Sequence, residues 1–172
     1  MVAVNQQERS SITEQHKYFL AGFIEGEGSF CVSIKKHSAS RFGYLIDPEF
    51  FIYQHVRGEK ILQLARKIFA TGRIYPKPGN RNVLVFAIDN RRSIREKVIP
   101  FLDRYLIETA KFEEYMLFKT IVSSLENKEH STKKGLIKIV KLAYRVKGKG
   151  KARKRPLRAV IDEILRDCTP DS

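Results

Sequence analysis

Cysteine is nearly absent from the 172-residue chain: Cys31 and Cys168 lie far apart, which excludes a disulfide framework and a cysteine-rich zinc site. The four histidines, His16, His37, His55 and His130, do not cluster at metal-ligand spacing, so no zinc site is expected from them. No apolar run approaches the roughly 20 residues of a membrane span. Met1 to Ser11 is polar and lacks the apolar stretch of a secretory signal, so an intracellular protein is expected, in the cytoplasm of a prokaryote or in an organelle. Walker loops, Rossmann fingerprints and internal repeats are missing as well. Acid is the scarce charge. Nineteen Asp and Glu stand against 33 Lys and Arg, a formal charge of +14, which points to a polyanionic partner, nucleic acid before an anionic membrane surface. Charge alone does not say enzyme.

What is present supports a packed core. Apolar residues make up 42% of the chain, with seven Tyr and eleven Phe, and the length suits one domain. Thr13 to Glu25 reads as a helix apolar on most of its circumference, with Thr13 as N-cap, stopped by Gly26 and Gly28. Ser29 to His37 alternates as a strand, Ser38 to Gly43 forms a loop, and Tyr44 to His55 is a second strand interrupted at Asp47-Pro48. Ile61, Leu64, Ala65 and Ile68 mark an amphipathic helix over Glu59 to Ala70, with Gly72 as its stop. Arg73 to Lys77 and Asn82 to Asp89 flank a Pro78-Gly79-Asn80 turn. A further helix carries Ile94, Val98, Phe101 and Leu102, with Pro100 expected to kink or break it. Helical patterns follow at Glu108 to Leu125, Lys133 to Arg145 and Leu157 to Leu165. This order predicts an α+β domain, a four-stranded antiparallel sheet with helices on one face and the other face free for a partner.

The informative stretch is Leu20-Ala21-Gly22-Phe23-Ile24-Glu25-Gly26-Glu27-Gly28. Ala21 and Gly22 inside a bulky apolar helix allow a second helix to approach closely. A helix-interior glycine costs about 1 kcal/mol relative to alanine, so tight packing is the reading that accounts for it. Two carboxylates, Glu25 and Glu27, follow among glycines. If two such helices pack side by side, their acidic ends meet, and a hard cation such as Mg²⁺ relieves the repulsion. Taken alone, a Gly-Glu-Gly end is an ordinary solvated helix terminus.

Leu20 to Gly28 nevertheless resembles, without a gap, the LAGLIDADG signature of homing endonucleases. It departs at four positions: Phe23 for Leu, Gly26 for Ala, and Glu for Asp at both acidic sites. The αββαββα order over about residues 13–127 is similar too, followed by a C-terminal helical and basic extension over about 128–172. One motif implies a single-motif homodimer, and the Asp47-Pro48-Glu49-Phe50 strand is similar to members encoded by introns of large-subunit ribosomal RNA genes.

The resemblance implies a divalent-metal-dependent endonuclease making a double-strand break in a long DNA target. Glu27 and the Gly26 carbonyl would hold Mg²⁺, with Mn²⁺ or another divalent cation as a substitute. Gln54, Arg57 (with His55 behind it) and Lys111 (with Arg104 as alternative) would complete the catalytic set, and Glu25 would be a helix-end group. Leu20, Ala21, Gly22 and Phe23 would form the dimer seam. The sheet would read DNA through Ser33, Lys35 and His37, with Cys31 on the same face, and through Arg73, Tyr75, Lys77 and Asn82. Lys149, Lys151, Arg153, Lys154 and Arg155 lie in an acid-free run from Arg145 to Arg158 suited to tracking phosphates. Two other readings stay open: an RNA-binding intron maturase of the same family without nuclease activity, and a basic structural protein of nucleic-acid assemblies. The last leaves the Glu-Gly-Glu-Gly end of a buried-type helix unexplained.

Overall fold

The computed structural model describes residues 11–146 and 155–166. Helix α1 (Glu14–Glu27) starts at Thr13, whose side chain accepts from the His16 amide while the His16 ring accepts from the Thr13 amide. It runs two residues past the expected stop, because the Gly28 amide still bonds to the Ile24 carbonyl. A Cβ at Gly28 would lie 2.5 Å from that carbonyl oxygen, so only glycine permits the turn from helix into strand. Both carboxylates therefore sit in the last turn of α1 rather than beyond it.

Strands β1 (Gly28–Lys36) and β2 (Tyr44–His55) pair antiparallel, and β2 continues unbroken through Asp47-Pro48. Pro48 is tolerated because β2 pairs with its other neighbour only from Phe50 onward, so its missing N–H costs no ladder bond there. Helix α2 (Glu59–Phe69) leads to β3 (Arg73–Lys77) and β4 (Asn80–Ile88), joined through Pro78-Gly79, with Gly79 at φ +79°. β4 thus begins two residues before the expected Asn82. The sheet order is β1-β2-β4-β3, antiparallel throughout.

Past β4, a short turn α3 (Arg91–Ser93) passes through a π-helical stretch (Ile94–Val98) into α4 (Ile99–Tyr105). Pro100 does not break this helix; the wider turn before it removes the clash between its ring and the preceding carbonyl. Helices α5 (Ala110–Glu126), α6 (Lys133–Arg145) and α7 (Leu157–Arg166) complete the described chain. One sheet face, carrying Phe30, Phe50, Ile52 and Phe86, is buried with Leu20, Ile24, Leu62, Phe69 and Phe118. Phe30 sits at the centre, its ring 5.7 Å from Phe50, 5.8 Å from Tyr115 and 5.1 Å from Phe118. The opposite face of β1 and β2 carries Cys31, Ser33, Lys35, Asp47 and Glu49, none of them buried among the described residues.

Helix α7 is tied back to the start of β2. The Tyr44 hydroxyl donates to Glu163 at 2.6 Å, and Arg155 donates to the Tyr44 oxygen at 2.6 Å and ion-pairs with Glu163. Lys36 lies 3.1 Å from the same carboxylate. Arg155, then Tyr44 and Lys36, hold the Glu163 carboxyl down at about 2, while burial first and Glu163 second push the Tyr44 phenol up to about 12. A carboxyl depressed on folding stabilises above its ordinary pKa of 4.5 and loses that contribution as pH falls toward 2. Thermal melts of the wild type should therefore drop more steeply across that window than those of Glu163→Gln. Equal slopes would show that the cluster contributes nothing.

Candidate catalytic centre and nucleic-acid interface

The end of α1 meets the start of α5. Thr109, at the N-cap of α5, makes no side-chain cap bond. The Glu25 Oε1 atom supplies the missing acceptor, 3.2 Å from the Lys111 amide, and a carboxylate suits the positive end of a helix dipole. The other oxygen of Glu25, Oε2, is buried without a hydrogen-bond partner. Lys111 then folds back, its Nζ donating to the Gly28 carbonyl at 2.9 Å with its side chain only 11% exposed and 3.8 Å from Glu114. Lys111 is thus fixed beside the motif end. Arg104 is not: it lies 3.6 Å from Glu14, at the opposite end of α1.

Glu27 is the last residue of α1 and is exposed, as is Gly26. The last turn of α1 itself carries no basic side chain, so its terminal carbonyls and Glu27 are negative, beside the Lys111 ammonium held on the Gly28 carbonyl. These are hard oxygen donors of the kind Mg²⁺ takes. Among the described residues no group of three or more His, Cys, Asp and Glu could hold a metal.

The expected seam separates in three dimensions. Leu20 and Ala21 point into the chain's own core, at 0% and 3% exposure, and cannot form a surface seam. The outward face instead carries Phe19, Gly22, Phe23 and Gly26 at i, i+3, i+4 and i+7, with Phe19 61% exposed. A Cβ placed on Gly22 or Gly26 meets nothing within 4 Å. Beside this face runs an open groove of about 450 Å³, lined by Phe19, Phe23, Gln54, Gly58, Ile61 and Leu64 among others. Gln54 enters it from the end of β2, its side-chain oxygen accepting from the His55 amide at 2.7 Å. A Cβ on Gly58 would come within 2.7 Å of the Gln54 amide carbon, so this glycine makes room for it. The His55 ring accepts from the Arg57 amide at 3.3 Å and starts the short turn Val56–Gly58, which leaves the Arg57 side chain exposed.

On the open sheet face the Ser33 hydroxyl donates to Glu49 at 2.9 Å and Lys35 to Asp47 at 2.7 Å. Arg73 bonds Asp89 at 2.6 Å and lies over the Tyr75 ring, and Lys77 lies over Tyr53. Asn82 is exposed on β4, its amide donating to the Asn80 side chain. His37 falls outside β1, in the turn, with Nδ1 3.2 Å from the Ser40 hydroxyl. Sequence reasoning misses Asp47, Glu49 and Tyr53, although their period-two spacing along β2 places them on this face. Arg155 also departs from expectation, since its guanidinium is engaged by Glu163 and Tyr44. Lys149, Lys151, Arg153 and Lys154 lie outside the described residues.

Known proteins share this fold. The LAGLIDADG endonuclease family matches residues 20–122. The DNA endonuclease I-CeuI of Chlamydomonas moewusii is 42% identical over 135 residues, 77% of this chain and 62% of that protein. A probable intron-encoded endonuclease of Neurospora crassa is 29% identical over 122 residues, 71% of this chain. The match spans 27% of that protein's length, so the chain covers less than two thirds of either relative. The structure of I-CeuI complexed with DNA superimposes with a TM-score of 0.82 at 37% identity, covering 90% of this chain and 78% of that one. The archaeal intron-encoded homing endonuclease I-Vdi141I complexed with DNA gives 0.79 at 35% identity, covering 88% and 95%. With its motif, its αββαββα order and its open sheet face, the chain belongs to the LAGLIDADG endonuclease family.

Proposed function

We propose that the chain is an intron-encoded homing endonuclease that acts as a homodimer and makes a double-strand break at one long DNA site. The observation that carries this reading is the outward face of α1: exposed Phe19, Gly22 and Gly26 with a half-buried Phe23 among them, and Glu27 at the tip. Two such faces, packed about a two-fold axis, bury the aromatic stripe and bring both Glu27 residues to the middle of the duplex. The sheets then extend outward on either side, each over one half of the target.

Glu27 and the Gly26 carbonyl would hold Mg²⁺, which when bound stabilises the charge developing on the phosphate and makes a water molecule more acidic. The remaining steps belong to side chains. Lys111, held by the Gly28 carbonyl, places a cation beside the motif end, where it offsets negative charge on the scissile phosphate. Gln54, at the mouth of the seam, offers an amide that orients water, and Arg57 supplies a further exposed cation at the strand end. Glu25 stays with the Lys111 amide and sets where that lysine stands.

The maturase reading is less favoured, because it gives no role to an exposed carboxylate at the tip of an exposed aromatic helix face. DNA binding should weaken steeply with salt as Lys and Arg displace counterions from phosphates. Neutralising Lys149, Lys151, Arg153 and Lys154 should lower affinity for every sequence and flatten the salt slope by about 0.9 for each phosphate that is no longer neutralised. Unchanged affinity at all salt concentrations would show that this run takes no part. The function itself is tested by cleavage of duplex DNA with Mg²⁺ present and with all divalent cations chelated.

A further inference from the structure

The open sheet face of a chain carrying +14 holds carboxylates where they are least expected. Asp47 and Glu49 are neighbours on the same face of β2, directly opposite Ser33 and Cys31 of β1. Each is joined diagonally to a donor: Lys35 to Asp47 at 2.7 Å, and Ser33 to Glu49 at 2.9 Å. Neither is buried among the described residues, and their side chains keep contact with solvent. A carboxylate turned toward DNA is repelled by the phosphates, so these two lower affinity for DNA in general. A partner that offers hydrogen-bond donors at that place reverses the sign locally. In the major groove the amino groups of cytosine and adenine are such donors, and guanine N7 and O6 are acceptors. A lysine beside an aspartate therefore matches a G·C pair edge to edge, the ammonium on guanine and the carboxylate on cytosine N4.

We propose that Asp47, paired with Lys35, and Glu49, paired with Ser33, are specificity-determining residues that select amino-bearing bases, cytosine first, at two places in each half of the target. This rests on the reading of the chain as a site-specific DNA endonuclease and adds which bases its site contains. The spacing follows from the strand. Residues two apart on one face are about 6.7 Å apart, close to two steps of about 3.4 Å along a DNA strand. A β1–β2 ribbon lying along the groove thus reads two positions about two base pairs apart. In the free protein the Lys35 and Ser33 bonds keep the carboxylates turned and ready, so reading a base exchanges one donor for another.

The test uses the full chain and a pool of duplexes randomised in sequence, enriched for binding with chelator present so that the strands stay intact. The wild type should enrich a two-fold symmetric sequence containing, in each half, two amino-bearing bases about two base pairs apart, at least one of them cytosine. Asp47→Ala should bind the whole pool more tightly, while discrimination for cytosine at one of these positions falls about tenfold or more. Asp47→Asn, which keeps the shape and is secured against misfolding by circular dichroism, should move the preference at that position toward adenine, the base an amide pairs with best. Glu49→Gln should do the same at the second position. If the wild type enriches a sequence and all three variants enrich it unchanged, the inference fails while the DNA reading stands. If the wild type enriches no sequence at all, the reading of a site-specific enzyme fails and takes the inference with it.

Discussion

Glu27→Gln should cut DNA slower by roughly two to three orders of magnitude or more, in line with removal of one electrostatic contact to a transition state. The substitution keeps the size of the side chain and its place at the end of α1, but removes the charge that would hold a hard cation in the proposed site. Its effect on folding should be small, because Glu27 is exposed and a negative charge at a helix C-terminus is unfavourable to begin with. DNA binding should persist or strengthen, since in the proposed complex the carboxylate it replaces would face phosphate. Glu25 provides the contrast. Its carboxylate caps α5 through the Lys111 amide, a bond that the Gln oxygen can still accept, so Glu25→Gln should cost less cleavage than Glu27→Gln. Single-turnover cleavage beside a gel-shift titration separates the two effects. Normal cleavage by Glu27→Gln with Mg²⁺ would remove this residue from the chemistry.

Gly22→Leu should abolish cleavage by another route. In one copy nothing lies within 4 Å of a Cβ at this position, and leucine is a better helix former than glycine by about 0.8 kcal/mol. The monomer should therefore fold as well as the wild type or slightly better. Two α1 helices facing each other cannot close over two leucines as they can over two glycines, so the pair is forced apart and the Glu27 tips with it. Sedimentation of the DNA complex should show two copies per duplex for the wild type and loss of that species for Gly22→Leu. A wild type that binds DNA as one copy, or a Gly22→Leu protein that dimerises and cuts normally, would refute the seam.

The contrast between Gly22 and its neighbours marks the limit of what the motif reveals by itself. A helix apolar on nearly all sides announces that it is buried on more than one side. Which side meets its own core and which is left outward depends on how the sheet lies beneath it, and that is not written in nine residues. Leu20, Ala21 and Ile24 face inward, while Phe19, Gly22, Phe23 and Gly26 face out. The strands are more legible. The alternation of Phe30 and Val32 with Cys31 and Ser33 gives both faces of β1 directly, and the same rule applied to Asp47, Glu49 and Tyr53 gives the face of β2. Pro48 reads as a break because proline ordinarily interrupts a sheet ladder; it does not at a stretch where β2 has a neighbour on one side only.

Contacts between residues distant in the chain stay hidden for the same reason. Lys111 and Arg104 are equally basic in sequence, and only the meeting of α5 with the end of α1, across 83 residues, places Lys111 beside the motif end. Arg155 belongs to a basic run by composition, yet it pairs with Glu163 on the helix that follows it and with Tyr44, 111 residues away. Composition counts charges and cannot count their partners. The extension of α1 to Glu27 turns on one amide–carbonyl bond, from Gly28 to Ile24, which Gly26 and Gly28 so close together would ordinarily argue against.

The most direct test of metal-dependent, site-specific cleavage takes a duplex carrying the sequence enriched by the wild-type protein, with a scrambled duplex as control. The full chain is incubated with each, with Mg²⁺ or with complete chelation, and broken strands are counted. A homodimer of this kind should break both strands of the enriched duplex at one place with Mg²⁺, leave the scrambled duplex whole, and cut neither under chelation. Cleavage that survives complete chelation, or binding of the enriched duplex without any break in Mg²⁺, would contradict it.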